Sequence, residues 1–182
     1  MLHLVYGHDH EVAGWVGREL SIKDFGPCVG IGIARRHDII GGAVYNNFHY
    51  DITGRPLFIE MSFATIDKGW ANRGIIKGLL DYPFFQLRVK RVQLTIAKRN
   101  KHTRQFVERL GFKLEGIARK AHVSGSDAAV YSLLDGEWKA SVFNGFKKSN
   151  MLPSTSISDS LDSAPLNSIS NDHFSSSRPA TH

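Results

Sequence analysis

Apolar and polar positions in the first 148 residues fall into short segments whose period switches between two and about 3.6. Leu2 to Tyr6 (LHLVY) alternates and reads as a short strand. Val12, Trp15, Val16 and Leu20 then recur on one helical face, with Asp9 placed to cap that helix. CVGIGIAR (28–35) and IIGGAVYNNF (39–48) read as two strands of a hairpin turning at RHD. RPLFIEMSFATI (55–66) is a fourth strand, followed by the loop DKGWANRG (67–74). GIIKGLLDYPFFQL (74–87) has helical spacing, with Ile75, Ile76, Leu79, Leu80 and Phe84 toward a core. Pro83 lies inside it and removes a backbone donor, so the last turn must kink or open. RVQLTIA (91–97) is a strand and KHTRQFVERL (101–110) a helix with Phe106, Val107 and Leu110 inward; Gly111 stops it in a left-handed cap. FKLEGIAR (112–119) and DAAVYSLLDGEW (127–138) read as closing strands.

This order predicts an α/β (mixed α+β) domain. Its central sheet is mixed and mostly antiparallel, with helices on both faces. From residue 149 the pattern ends. Residues 149–182 are rich in Ser, Asn, Asp and Pro, with isolated apolar residues, and are expected to form a disordered tail. The domain is therefore placed at 1–148. No apolar run is long enough for a bilayer, and the first residues lack a basic start and apolar stretch, so a cytoplasmic protein off the membrane is expected. A single cysteine, Cys28, allows no intrachain disulfide.

Charge adds one feature. The net charge is +6, and the cations gather between Lys68 and Lys120, in RVKRV and AKRNKHTR. Such a face is either simply solvated or a seat for a polyanion, such as a phosphorylated cofactor or nucleic acid. Other candidates are weak. His8 and His10 do not share a helix face and suggest no metal site. The glycines after Cys28 lead into no helix and so make no dinucleotide loop. Cys28 reads as a small buried hydrophobe.

The stretch NKHTRQFVERLGFKLEG (100–116) is more specific. An Asn follows a strand, a small polar residue stands three positions on, a helix ends in RLGF, and EG comes next. This resembles the GNAT superfamily of acyl-CoA-dependent N-acetyltransferases, in particular the branch of bacterial ribosomal-protein N-terminal acetyltransferases and related bacterial and phage members. DAAVYSLLDGEW resembles the same branch, and the likeness covers most of residues 1–140.

The resemblance implies that the fourth and fifth strands splay into a V and hold acetyl-CoA, with no metal. The pantetheine arm would lie along Ala64, Thr65 and Ile66 in the manner of an added strand. The pyrophosphate would sit where the 69–74 loop enters its helix, at Asn72, Arg73, Gly74, Ile75, Ile76 and Lys77. The family's loop reads Q/R-x-x-G-x-G/A. Here Ala71, Gly74 and Ile76 occupy its fixed positions, so one of three agrees. Asn100 and Thr103 match the polar positions beside the pantetheine and thioester. Glu60, within the fourth strand, is the candidate base for deprotonating an amine acceptor. Val107 stands where many members carry a Tyr that protonates the leaving thiolate. The expected activity is acetyl transfer to a primary amine: a protein N-terminus, a lysine or a small molecule. Its alternative is a non-catalytic nucleic-acid-binding or structural protein on a degenerate scaffold; nucleic acid is not the favoured partner, and a homodimer stays open.

Overall fold

The computed structural model describes residues 1–145. The expected tail and its boundary at 148 lie outside the described residues. The elements are β1 (Leu2–Val5), α1 (Asp9–Leu20), β2 (Val29–Arg35), β3 (Asp38–Tyr50), β4 (Pro56–Thr65), α2 (Arg73–Asp81), β5 (Arg91–Ala97), α3 (Lys101–Arg109), β6 (Lys113–Ala118), β7 (Ala128–Leu134) and α4 (Asp135–Lys139). Seven strands form one sheet in the order β1-β2-β3-β4-β5-β7-β6. Every neighbouring pair is antiparallel except β4 and β5, which run parallel and are joined through α2.

Helices cover both faces. Val12 and Val16 of α1 pack with Val44 and Ala64 on one side. Ile75, Ile76, Leu79 and Leu80 of α2, together with Val107 of α3, pack with Ala43, Tyr45, Ile59 and Met61 on the other. Successive strand residues point to opposite faces, so β3 and β4 each supply both cores in turn. The four α2 side chains are buried, each contributing about 1.5–3 kcal/mol relative to exposure. The glycines of β2 and β3 let α1 approach closely. A Cβ at Gly30 would lie 2.8 Å from Val12 Cβ and 2.9 Å from the Asp9 carbonyl, and one at Gly42 2.8 Å from Val12 Cγ1.

Pro83 acts as its chemistry requires. Residues Tyr82–Gln86 widen into a π turn, with the Leu87 N–H donating to the Tyr82 carbonyl at 3.1 Å. Residue 83 has no N–H for the Leu79 carbonyl one turn back. That carbonyl instead accepts from the Tyr45 hydroxyl at 2.6 Å, across the core from β3, where Tyr45 is fully buried.

Two local expectations are corrected. Asp9 is not the cap of α1: His8 holds that position without a side-chain bond, and Asp9 Oδ1 accepts from the Gly30 N–H at 3.0 Å. Its carboxylate is drawn to the sheet. The end of DAAVYSLLDGEW is not strand. Residues Asp135–Lys139 form α4, started by Glu137, whose carboxylate accepts from the Leu134 N–H at 3.0 Å. Gly111 does end α3 with positive φ, +104°, and the Phe112 N–H reaches back to the Val107 carbonyl at 3.1 Å.

Candidate active site

β4 and β5 pair only at Phe58–Arg91, Ile59–Val92 and Glu60–Gln93. Both strands then continue, β4 to Thr65 and β5 to Ala97, without pairing to each other. The sheet is split there, and the facing main chains hold unused donors and acceptors. Alternation decides which residues own them. The Lys90 N–H donates to the Leu57 carbonyl, and the Ile66 N–H to the Ile40 carbonyl. Met61, Phe63 and Thr65 therefore turn main-chain groups into the gap, whereas Ala64 and Ile66 turn theirs to β3. Of the three residues expected along the pantetheine, Thr65 alone has this orientation. Phe63 joins it, and Thr95 and Ala97 face it from β5, whose next residue, Lys98, bonds to the Asp127 carbonyl beside β7.

A small apolar hollow lies below the split, lined by Met61, Phe63, Trp70, Leu94, Phe106 and Val107 among others. Phe63, Trp70 and Phe106 form a mutual aromatic triad with ring centroids 5.5–6.1 Å apart. Val107 is fully buried in this wall and provides no acid.

Glu60 stands at the closed end of the split, half-buried, on the α1 face. Its Oε1 accepts from Gln93 Nε2 at 3.0 Å and its Oε2 from Asn47 Nδ2 at 2.9 Å. Two amides orient it, and it forms no ion pair among the described residues. The polar row continues through Gln93, which accepts from Arg91 Nη2 at 2.9 Å, to the Arg91–Glu115 ion pair. The Arg91 guanidinium, with the Ser132 hydroxyl, holds the Glu115 carboxyl down at about 2; Glu115 raises Arg91 in return.

The loop into α2 is ordered by Asp67, which accepts from the Gly69 N–H at 2.7 Å and pairs with Arg35. Asn72 caps α2: its Oδ1 accepts from the Ile75 N–H at 3.0 Å and its carbonyl from the Ile76 N–H at 3.0 Å. Those two N–H groups, expected to face phosphate, already have acceptors. The N–H groups of Lys68, Ala71, Arg73 and Gly74 have none among the described residues. The Arg73 side chain turns away, donating to the carbonyls of Val142 at 2.5 Å and Phe143 at 3.2 Å and lying over the Phe143 ring. Lys77 reaches toward the other end of the helix, pairing with Asp81 over the Phe85 ring. On α3, Asn100 Oδ1 accepts from the Thr103 N–H at 3.1 Å. Asn100 is thus the helix cap, with its exposed amide Nδ2 left over, and Thr103 is half-buried beside it. No group of His, Cys, Asp and Glu able to hold a metal occurs among the described residues.

Similar architecture occurs in solved structures. The spermidine N-acetyltransferase SpeG of Vibrio cholerae superposes with a TM-score of 0.60 at 16% identity, over 75% of this chain and 95% of that one. A ribosomal-protein-S5-alanine acetyltransferase from Vibrio fischeri gives 0.52 at 19%, over 71% and 70%. The fold is that of the GNAT N-acetyltransferases. A further solved structure, provisionally named an acetyltransferase, matches with a TM-score of 0.51 at 26% identity over 68% of this chain and 73% of that one. In sequence, YdaF of Bacillus subtilis (strain 168), provisionally named a ribosomal N-acetyltransferase, is 38% identical over 81 residues. That stretch spans 41% of this chain and 44% of YdaF, less than half of either. No protein-family model matches the chain. Within the described residues, no helix is long and apolar enough to cross a membrane.

The sequence did not point to Phe63, Trp70, Gln93 or Thr95. Phe63 and Thr95 were reachable, since they share the parity of the strand positions that face the split. Trp70 sits in a loop with no period, and Gln93 becomes notable only through its pairing with Glu60.

Proposed function

We propose that this chain is an N-acetyltransferase that moves the acetyl group of acetyl-CoA to a primary amine. The observation that carries the reading is the β4–β5 pair, bonded for three residues and then parted, with Glu60 at the point of parting. Free main-chain edges on both sides suit an extended amide-bearing arm, which would bond to Phe63 and Thr65 as a strand does. The residues present fit the rest of that molecule only in part. The N–H groups of Arg73 and Gly74 at the start of α2, and of Ala71 before it, suit a pyrophosphate. The Arg73 and Lys77 side chains and the Ile75 and Ile76 amides are already engaged. Asn100 Nδ2 and Thr103 provide polar contacts on the facing lip.

When bound, acetyl-CoA supplies an electrophilic thioester carbonyl. Glu60 accepts a proton from the incoming ammonium, directly or through one water, leaving a neutral amine to attack. Gln93 and Asn47 hold the carboxylate in place for that transfer. The new C–N bond forms and the C–S bond breaks. With Val107 in the wall, the proton for the thiolate comes from solvent or from another residue. The acceptor is a primary amine of a protein N-terminus, a lysine or a small molecule.

Thermal unfolding with and without acetyl-CoA tests binding. A ligand of the folded state raises the melting temperature, by about 2.7 kcal/mol of stabilisation at a hundredfold excess over Kd. Asn100→Ala reduces the shift. Release of free thiol across a panel of amines then tests transfer. No shift at millimolar acetyl-CoA sinks the proposal.

A further inference from the structure

A cationic lip stands on the β5 side of the split, and its bearing on the acceptor rests on the transferase reading. Ala97 of β5, Ala128 of β7 and Ala118 of β6 stand side by side at one end of the sheet. Immediately beyond them come Lys98 and Arg99, Asp127, and Arg119 and Lys120, with Lys101 following in the first turn of α3. All five cations are exposed. The one carboxylate among them is Asp127, which lies 3.6 Å from Lys98 Nζ and accepts from the Lys120 backbone N–H at 3.2 Å. Five positive charges therefore face a single negative one. Arg99, Lys101, Arg119 and Lys120 make no ion pair among the described residues.

The proposed pyrophosphate seat is on the opposite lip, between Lys68 and Gly74, and the coenzyme contact proposed on this lip is Asn100, which leaves Arg119 and Lys120, away from both in sequence, with no anion assigned to them. Its span is short. Three strand ends at about 4.8 Å spacing cover roughly 10 Å, the length of about three extended residues. Residues 98–101 and 119–127 contain no Phe, Tyr or Trp to stack a base, and a strip this short spans few phosphates of a nucleic acid. A short run of carboxylates fits it better. A polyamine meets like charge here and is repelled.

We infer that the acceptor is an acidic peptide, whose carboxylates seat on Lys98, Arg99, Arg119 and Lys120 while its free amine enters the split toward Glu60.

The test uses three labelled peptides with a free N-terminal serine, followed by four glutamates, four glutamines or four lysines. Binding to the full chain is measured by fluorescence anisotropy with CoA present, and acetylation by thiol release with acetyl-CoA. The glutamate peptide is expected to bind about tenfold more tightly than the glutamine peptide at low salt, with the gap closing as salt screens it. It is also acetylated in preference to the lysine peptide and spermidine. Arg119→Glu combined with Lys120→Glu abolishes the preference and leaves the melting shift with acetyl-CoA intact. Arg119→Ala, which adds no charge beside Asp127, halves it or more. Equal binding of the glutamate and glutamine peptides overturns the inference, as does faster acetylation of spermidine. Tighter binding of a single-stranded oligonucleotide that displaces the glutamate peptide overturns it in favour of nucleic acid. Tight binding of the glutamate peptide without acetylation leaves an anion surface but removes the acceptor role. A missing acetyl-CoA melting shift is the separate failure of the transferase reading.

Discussion

Tyr45→Phe removes one oxygen and tests how the chain accommodates a proline inside a helix. The Tyr45 hydroxyl donates at 2.6 Å to the Leu79 carbonyl, which lacks its usual helical donor because residue 83 is proline. The site is fully buried at Tyr45, and Leu79 is 2% exposed, so water does not replace the lost bond readily. Leaving a buried acceptor unsatisfied costs about 1–3 kcal/mol. For a domain of this size each kcal/mol lowers Tm by roughly 2–4 °C, which gives a drop of roughly 2–12 °C. Urea unfolding followed by circular dichroism measures the free energy, and a thermal scan the midpoint. A double-mutant cycle with Pro83→Ala isolates the cause. Alanine restores an N–H at residue 83, so Tyr45→Phe should cost less in that background, with a coupling of about 1 kcal/mol. A loss below about 0.5 kcal/mol, or the same loss in both backgrounds, refutes the account.

Glu60→Gln keeps the shape of the side chain and removes its basicity. It should lower kcat by about 10²–10⁴-fold while leaving the acetyl-CoA melting shift unchanged, as read by steady-state thiol release beside a thermal scan. Glu115→Gln addresses acid stability. Arg91 and Ser132 hold this carboxyl at about 2 against an ordinary value near 4.5. Its contribution is therefore complete above about pH 4.5 and fades as pH falls toward 2, so the variant should show a flatter acid-unfolding curve in that window. Glu115 is 42% exposed, so added salt should shrink the difference. Gly111→Ala should destabilise by about 1–2 kcal/mol in denaturant titration, because φ of +104° disfavours a side chain even though Leu133 leaves space at 3.5 Å.

Period and punctuation made most of the fold legible. The α2 face of Ile75, Ile76, Leu79 and Leu80, the opening at Pro83 and the stop at Gly111 all follow from residue type and local geometry. DGEW was misread because its four residues carry no period, and what makes them helical is Glu137 reaching back to Leu134. The succession of elements along the chain was legible from local period, and it alone places the end of β4 next to the start of α2. Side-chain direction was not legible where distant partners decide it. Arg73 looked free for phosphate, yet its acceptors are carbonyls some seventy residues away. Asp9 looked like a cap, yet its partner is Gly30.

The two ends of α2 are held by one later stretch of chain. Trp138 Nε1 donates to Asp81 Oδ1 at 3.0 Å, and Arg73 grips Val142 and Phe143. During synthesis the N-terminal parts of a chain emerge first, at about 5–20 residues per second. The helix that opens onto the split therefore leaves the ribosome several seconds before its own fastenings exist. Until residue 138 is out, α2 has its core face but neither clasp, and the second clasp waits for residue 143, so any opening at the split takes its final form only when the last helical turns of the described chain arrive.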